Sequence, residues 1–450
     1  MDAEYCSGAE LASWAATWPT PGSDVAVERA VAALVDVTAC MVAGYRSPST
    51  MSVQDYAGKA FGHGNSPVLG QGLSLTAPGA ALVNGAAAHA LDFDDNFRPA
   101  ITHASAVLYP ALLAVGCCRP TSGQQLIDAY MIGLELQTQI AHFVIPHHYE
   151  QGWHATSTIG AIGAAGAVCL LIGGNAEQIT HAMSIAFSLA AGSKLQFGSG
   201  TKPVHAGFAA HNAVLAAELA MAGLDANPNF LESKWGIPGL YQNQPSPLAP
   251  HRFERIKGLW AIDEFGLLPK RFPCCGAAHK ALDAVEIFYK EYQITSGNLE
   301  EIEVWLSETA YGNLRFDNPT SESEARFSFA YPAACLITSG LLSLSHFSSE
   351  AVKEADVQRI LPRFKRHIGE NNHSLNEPVT VRARLKSGEE FSITVEDVRG
   401  SVQNPFSDQE IQNKINDCLR WGGKEDKAPL FKDLKDIQNL PDIGAVFSRF

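Results

Sequence analysis

The sequence has no lysine- or arginine-rich run, and its 47 acidic residues outnumber its 33 basic ones. A nucleic-acid-binding surface needs clustered positive charge, so this composition argues against that class of partner. Long hydrophobic runs are also missing, because the most apolar stretch, residues 30–44, is short and contains Asp36. The N-terminus carries neither a basic segment nor an apolar signal core. We therefore expect a cytoplasmic protein with no nucleic-acid partner and no membrane partner.

Metal-ligand spacings and nucleotide-binding motifs are equally scarce. The nine cysteines are scattered, with no C-x-x-C and no Cys/His zinc pattern, and the adjacent Cys274 and Cys275 cannot alone hold an iron–sulfur cluster. The run Gly160-x-x-Gly163-x-x-Gly166 lacks a G-x-G opening and predicts close helix packing. No P-loop, nucleophile elbow or H-E-x-x-H is present. We therefore predict a protein that uses no metal and no other cofactor.

What the chain does contain is a long series of apolar helical segments. Of its 450 residues, 46% are hydrophobic, enough for two domains and a large core. Val25–Ala43 predicts a central helix, and Ser122 with Gln125 predicts a capping box. Asn175 with Gln178 predicts a further helix start.

The pattern changes after about residue 265. Ile302–Leu306 alternates like a half-buried strand, and two alternating runs flank Ser387-Gly388, which indicates a hairpin. Between them we expect helices over residues 277–292, 326–343 and 349–360. The predicted fold is mostly α. It has a helical domain over residues 1–264, completed by 405–450, and a smaller α+β domain over 265–404.

Four polar clusters interrupt these apolar surroundings, and they lie at residues 91–105, 152–158, 198–207 and 270–280. His103 and His154 each precede a probable helix start, where free amides favour an anion, although a capping role is equally compatible. Lys202 follows glycines and precedes an Ala-rich helix, so it is either a buried cation for a carboxylate or a solvated side chain.

Taken together, the clusters resemble the MmgE/PrpD family, whose members include 2-methylcitrate dehydratase, cis-aconitate decarboxylase and iminodisuccinate epimerase. The matching runs are His89-Ala-Leu-Asp92-Phe-Asp-Asp95, Gly152-Trp-His154-Ala-Thr156-Ser-Thr158, Thr201-Lys202-Pro-Val-His205-Ala-Gly207, Phe272-Pro-Cys-Cys275 with His279, and Glu324-Ala-Arg-Phe-Ser328. The resemblance covers roughly residues 10 to 420. It implies a helical domain and a smaller α+β domain with a cleft between them, and a homodimer.

The resemblance also implies site residues. The catalytic candidates are Asp92, His103, His154, Lys202, Lys270 and Tyr311, and the substrate-binding candidates are Asn96, Lys202, Lys270 and His279. The chain departs from the family pattern in two places. Asn96 stands where dehydratases and animal-type decarboxylases tend to have threonine, and Phe97-Arg98-Pro99 stands where they often have a further histidine.

The chemistry of these residues agrees with the resemblance. A carbon next to a carboxylate is a very weak acid, so reaction there needs a positioned base and nearby cations. His103 and His154 can exchange protons near neutral pH, the lysines can bind carboxylates, and Asp92 can orient a histidine or relay a proton.

Dehydration, decarboxylation and epimerisation share a carbanion-like intermediate and differ in whether hydroxide, CO₂ or nothing leaves. We predict a metal-independent lyase acting on a small di- or tricarboxylate, of the 2-methylcitrate (or alkylcitrate) dehydratase or cis-aconitate decarboxylase type. An iminodisuccinate-type epimerase and a catalytically silent binding protein are the alternatives.

Overall fold

The computed structural model describes residues 7–17, 23–242, 260–369, 375 and 377–450. Its α-helices are α1 (Gly8–Thr17), α2 (Asp24–Gly44), α3 (Pro48–Ala60), α4 (Ala77–His89), α5 (Ser105–Gly116), α6 (Gly123–His142), α7 (His147–Glu150), α8 (Ile159–Leu171), α9 (Ala176–Leu189), α10 (Thr201–Met221), α11 (Ile237–Tyr241), α12 (Ala261–Phe265), α13 (His279–Glu291), α14 (Glu308–Asn313), α15 (Glu322–Ala325), α16 (Ala330–Ser339), α17 (Ala355–Ile360), α18 (Asp408–Gly422), α19 (Leu430–Lys435) and α20 (Gly444–Phe447). Its strands are β1 (His63–Val68), β2 (Leu73–Leu75), β3 (Leu299–Leu306), β4 (Phe364–Ile368), β5 (Val379–Leu385) and β6 (Glu390–Val395).

The helices begin where the local sequence satisfies their free amides. The Ser122 hydroxyl accepts from the Gln125 backbone N–H at the start of α6, and Asn175 does the same for Gln178 at α9. Both sites are complete capping boxes, as predicted. The predicted central helix is α2, most of whose residues are buried, and this explains why it is apolar nearly all round.

Two glycines let α4 and α10 pack with their backbones almost in contact. A Cβ atom at Gly85 would lie 2.8 Å from the Cα of Gly207, and one at Gly207 would lie 2.4 Å from the Leu82 carbonyl oxygen. Neither position has room for a side chain. Gly85 lies near the end of α4 and Gly207 near the start of α10, so the segment after α4 meets the first turn of α10.

A four-stranded sheet with the order β4-β3-β5-β6 forms the core of the α+β part. Strands β3 and β4 are parallel, whereas the β3–β5 and β5–β6 pairs are antiparallel. The predicted strand and hairpin are confirmed, but β4 and the β1–β2 pair were not predicted. The helix expected over residues 326–343 is shorter, because Gly340 adopts a left-handed conformation (φ 72°) that ends α16.

The buried hydrophobic residues fall into two clusters. One joins residues 11–267 to 415–450 and Leu344, and the other joins residues 272–385 to Phe197. Helix α18 packs against α2, where the Lys414 ammonium lies 2.6 Å from an Asp36 carboxylate oxygen. The mostly α fold with a smaller α+β part is as predicted, whereas the domain boundaries stay a prediction. Within the described residues, we find no helix with the length and apolar character needed to cross a bilayer.

Candidate active site

The segment that follows α4 places Asp92 where the two hydrophobic clusters meet. Asp92 has a left-handed backbone (φ 50°), which turns the chain just after the helix, and it is 3% exposed. Its carboxylate contacts the Lys202 ammonium from the first turn of α10. The Lys270 ammonium lies 3.0 Å from the other carboxylate oxygen and donates to the Asp92 carbonyl at 2.9 Å. Three distant segments therefore converge on one carboxylate.

The two lysines determine the ionisation of Asp92. Burial alone would raise its pKa, but Lys202 and Lys270 hold the pKa of Asp92 well below its usual range. Burial lowers the pKa of Lys202, although Asp92 opposes this effect. Lys270 is buried too, yet Asp92 and Asp94 together raise its pKa. Asp92 is thus a fixed negative charge, which does not suit the predicted role of proton relay.

Asp94 contacts the histidines. One of its carboxylate oxygens lies 2.8 Å from His89 Nδ1 and 3.1 Å from His103 Nδ1, and Asp94 is fully buried. The prediction that Asp92 orients a histidine is therefore not supported by these contacts, because Asp94 occupies that place. The backbone N–H of His103 donates to the Thr156 hydroxyl at 3.0 Å, which joins this loop to the segment that carries His154.

His154 lies across from His103, and their ring centroids are 6.3 Å apart. Its Nδ1 is 3.0 Å from Nδ1 of His205, while its Nε2 is buried without a hydrogen-bond partner among the described residues. Burial, reinforced by Lys202, lowers the pKa of His154 well below its ordinary value. Burial also lowers the pKa of His103, with Asp94 opposing. Burial thus favours the neutral form of both rings.

A cavity of about 480 Å³ opens onto these residues. Its polar lining includes Asp92, Asn96, Arg98, His103, Tyr149, His154, Lys202, Lys280, Ser307 and Asn313. The volume lies within the usual range for small-molecule sites. Five of the predicted site residues, Asp92, Asn96, His103, His154 and Lys202, therefore share one cavity.

The other predicted residues lie outside the cavity lining. Lys270 is 1% exposed and reaches the site only through Asp92. His279 is buried with its Nε2 3.2 Å from the Cys274 carbonyl oxygen, so it supports the segment around Cys274 and does not face the cavity. The ring of Tyr311 faces the guanidinium of Arg366 at 4.2 Å, and this contact holds it on the other side of α14. Neither His279 nor Tyr311 is placed to touch a substrate in this cavity.

Several residues of the site were not singled out from the sequence. Tyr149 lines the cavity, and its hydroxyl accepts from the Asn313 side-chain amide at 3.1 Å. Burial raises the pKa of Tyr149, so its hydroxyl keeps the proton and can donate it to a ligand. Arg98 and Lys280 also line the cavity. Two features of the sequence could have indicated these residues. Tyr149 is close to the polar segment 152–158, and Arg98 is close to the aspartates.

Arg326 explains the fifth motif of the sequence. Its guanidinium is 3% exposed and donates to the carbonyl oxygens of Leu91 (2.7 Å) and Pro273 (2.6 Å). The side chain therefore ties the Asp92 segment to the Lys270 segment. Arg326 thus holds the segment that carries Asp92 next to the segment that carries Lys270.

The histidines also meet a geometric condition for metal binding. One nitrogen each of His89, His103 and His154 lie within 4.8 Å of one another, as do single ligand atoms of His89, Asp92 and Asp94. The sequence showed no such ligand set. Asp94 contacts two of the same imidazoles, by a hydrogen bond to His89 and at ion-pair distance from His103, so these contacts are also explained without a metal. The predicted independence of metal thus stays a prediction that needs a chelation experiment.

Comparison with known proteins identifies the family. The model of the MmgE/PrpD N-terminal domain matches residues 9–247, and that of the MmgE/PrpD C-terminal domain matches residues 272–440. The chain belongs to the MmgE/PrpD family. The predicted resemblance is therefore confirmed, and the two matches meet close to the point where the composition of the chain changes.

Within the MmgE/PrpD family, the chain is similar to cis-aconitate decarboxylases. It is 28% identical to the human enzyme over 80% of this chain and 77% of the relative, and 29% identical to the mouse enzyme over 82% and 77%. It is 26% identical to the enzyme of Aspergillus terreus over 97% of this chain and 94% of the relative. These relationships support the prediction of a lyase of this family.

Proposed function

We propose that this chain is a metal-independent lyase that decarboxylates a small unsaturated tricarboxylate of the cis-aconitate type. The observation that carries the proposal is that His103 and His154, with ring centroids 6.3 Å apart, flank a cavity that also contains the Asp92–Lys202 ion pair. Proton-transfer groups and a cation for a carboxylate thus meet at one place. The similarity to cis-aconitate decarboxylases favours CO₂ over hydroxide as the leaving group.

The charges of the site favour an anionic ligand. Two ammonium groups, Lys202 and Lys270, share the single carboxylate of Asp92, and burial favours the neutral form of both reacting histidines. A bound tricarboxylate brings negative charge next to the imidazoles and raises their pKa values, since an opposite charge favours the protonated form. The substrate therefore recruits the proton that its own conversion consumes.

In the reaction, the bond between the substrate carbon and one carboxylate breaks and CO₂ leaves. The electron pair stays on the substrate and spreads into the conjugated carboxylate, where the Lys202 ammonium stabilises it. A protonated imidazole, His103 or His154, then donates its proton to carbon and forms the new C–H bond. Water restores the proton to the histidine, which completes the cycle.

The test is incubation of the purified protein with cis-aconitate, citrate-type acids and iminodisuccinate in D₂O, followed by proton NMR. We expect cis-aconitate to be consumed and the decarboxylated product to carry deuterium at the protonated carbon. His63→Ala, which removes an exposed histidine on β1, is the control variant and should react normally.

Other outcomes would contradict the proposal in distinguishable ways. Loss of water from a citrate-type acid would identify a dehydratase. Deuterium exchange into iminodisuccinate without net conversion would identify an epimerase. Binding without any reaction would identify a catalytically silent member of the family.

A further inference from the structure

A short loop, Phe97–Thr102, carries Arg98 to the edge of the cavity. Phe97 and Thr102 exchange two backbone hydrogen bonds, of 2.7 Å and 3.2 Å. The ring of Phe97 is fully buried, and Asn96 exchanges two further backbone bonds of 2.9 Å with Leu268. The loop is therefore fixed at its base, which holds the backbone of Arg98 at the edge of the cavity.

The Arg98 guanidinium has no hydrogen bond and no ion pair with any described residue. It is half-buried, and the carboxylate of Asp397 lies near enough to favour its charge but beyond ion-pair distance. A guanidinium offers five donors in a planar fork that matches a carboxylate. A partly desolvated fork without a partner among the described residues is suited to an anion from solution.

Lys280 approaches the same part of the cavity from the first turn of α13. It is 6% exposed, and its ammonium donates to the Glu377 carbonyl oxygen at 2.8 Å. Burial, and after it the charge of Arg98, lowers the pKa of Lys280 to about 8. Arg98 and Lys280 therefore repel each other, Asp397 and Glu377 offset part of that repulsion, and an anion bound between the two cations would relieve the rest.

This pair is separate from the cations around Asp92. Arg98 and Lys280 contact neither Asp92 nor the reacting histidines, although all of them line one cavity. The lining also includes the aliphatic side chains of Leu268, Val379 and Val398. A ligand that contacts both groups of cations needs carboxylates at two places and can place apolar carbons against these side chains.

We propose that Arg98 and Lys280 form a second anion subsite, which binds the carboxylate of the substrate that is remote from the reacting carbon. The proposal rests on the proposed function in taking the substrate to be a polycarboxylate. It makes Arg98 a determinant of substrate specificity in this chain.

Binding is tested with tricarballylate, a saturated tricarboxylate that has no double bond to activate, by isothermal titration calorimetry. We expect Arg98→Gln and Lys280→Gln each to raise Kd by about tenfold to a hundredfold, as for loss of a charge-assisted contact. Arg98→Lys should recover part of the loss. Arg359→Gln, which removes a surface cation that is 69% exposed, should leave Kd unchanged.

A double-mutant cycle, with one change in the ligand and the other in the protein, makes the test specific for the contact of Arg98 with a carboxylate. The monoamide of tricarballylate, with one terminal carboxylate replaced, should bind the wild type more weakly by a similar factor. The same replacement should cost little in Arg98→Gln, because the contact is already absent. An equal loss in both proteins, or an unchanged Kd in the two Gln variants, would overturn the subsite.

Kinetics with cis-aconitate separates this inference from the proposed function. We expect the Gln variants to raise KM far more than they lower kcat, since the subsite is remote from the reacting carbon. If tricarballylate binding depends on Arg98 but no acid is converted, the subsite holds and the proposed function fails. If cis-aconitate is converted with an unchanged KM in both variants, the subsite is wrong.

Discussion

Asp92 and Asp94 are two residues apart and both are buried, yet they have different kinds of partner. Asp92 contacts Lys202 and Lys270, and Asp94 contacts His89 and His103. Lysine stays charged across the physiological pH range, whereas histidine gains or loses its proton there. The first carboxylate therefore belongs to a fixed charge arrangement, and the second controls where a proton resides. Structural and chemical roles are thus divided between two neighbouring residues.

Asp95, the next residue, shows a third outcome. It has no cation as a direct partner and instead accepts hydrogen bonds from the hydroxyl and backbone N–H of Ser105. Burial raises the pKa of Asp95 to about 7, although the Ser105 hydroxyl opposes this. Asp95 thus differs from Asp92 and Asp94 in its pKa because its partners differ, not because its burial does.

The largest expected effect tests the histidine side of the comparison. His103→Ala and His154→Ala should each lower kcat/KM by about 10²–10⁴-fold, since each removes a proton-transfer group. The double variant should lose less than the product of the two, because residues that act as a unit fail together. Steady-state kinetics on cis-aconitate gives the values, with His63→Ala as the control. Unchanged kinetics in either single variant would remove that histidine from the mechanism.

Asp92→Asn tests the contribution of the contacts between Asp92 and its two lysines. It leaves two buried ammonium groups without their carboxylate, so we expect a loss of about 3–5 kcal/mol in the free energy of unfolding. Denaturant titration measures it. Adding Lys202→Met should recover part of the loss, because it removes one of the uncompensated charges.

The surface pair between Asp356 and Arg359, with both side chains about 70% exposed, provides the matched control. Asp356→Asn should cost less than about 1 kcal/mol. A similarly small cost for Asp92→Asn would mean that its lysines are not held as a charged group.

The pH dependence of stability in Asp95→Asn distinguishes Asp95 from Asp92 and Asp94. The pKa of Asp95 is raised in the folded state. Between pH 4 and 7, Asp95 therefore binds more protons in the folded state than in the unfolded state. Its contribution to stability is lost as pH rises through about 7. The shift from 3.8 to about 7 corresponds to at most about 4 kcal/mol, at about 1.4 kcal/mol for each pH unit. The variant should gain stability relative to the wild type between pH 5 and pH 8.

Asp92 should show the opposite dependence. Its pKa is depressed in the folded state, so its contribution is present above about pH 4 and is lost as pH falls further. Denaturant titrations of the wild type and both Asn variants from about pH 2 to pH 8 compare the two signs. A parallel pH profile for wild type and Asp95→Asn would show that Asp95 is ionised like its neighbours.

Asp94→Asn should affect activity more clearly than stability. Both histidines are stable as neutral rings, so we expect a cost of only about 1–3 kcal/mol, smaller than that of Asp92→Asn. The activity should fall by about tenfold to a hundredfold, because His103 loses the carboxylate that orients it and favours its protonated form. A destabilisation equal to that of Asp92→Asn would erase the distinction between the two carboxylates.

Chelation is expected to have no effect. Dialysis against EDTA should leave kcat/KM unchanged if Asp94 and its histidines act through hydrogen bonds alone. Metal analysis of the purified protein and assays with added Fe²⁺, Mg²⁺ or Zn²⁺ complete the test. Activity that disappears and returns with one ion would reassign His89, His103 and His154 as ligands.

The sequence predicted what depends on local pattern. The capping boxes at Ser122 and Asn175 and the β5–β6 hairpin follow from residues adjacent in the chain. Polar residues in apolar surroundings pointed to His154 and Lys202 because burying such groups is costly unless they have a function. These residues were identifiable without knowledge of their partners.

What depends on long-range packing was not predictable. Tyr311 faces Arg366, which lies on β4, a strand that the sequence analysis did not find. The assignment of the histidines to Asp94 depends on the left-handed turn at Asp92, which no periodicity reveals. Arg98 and Lys280 resemble ordinary surface cations until two distant segments bring them into one cavity.

Lys414, on helix α18 near the end of the chain, donates to the carbonyl oxygen of Phe93, between the two aspartates, at 2.7 Å. During synthesis, the ribosome completes Asp92, His103, His154 and Lys202 long before this residue is made. At about 5–20 residues per second, the interval between residues 202 and 414 lasts roughly 10–40 s. Throughout that time the nascent chain lacks the ammonium group that contacts the Phe93 carbonyl and pairs with Asp36. A chain released early from the ribosome therefore contains the reactive residues but lacks the side chain that holds the segment between the two aspartates.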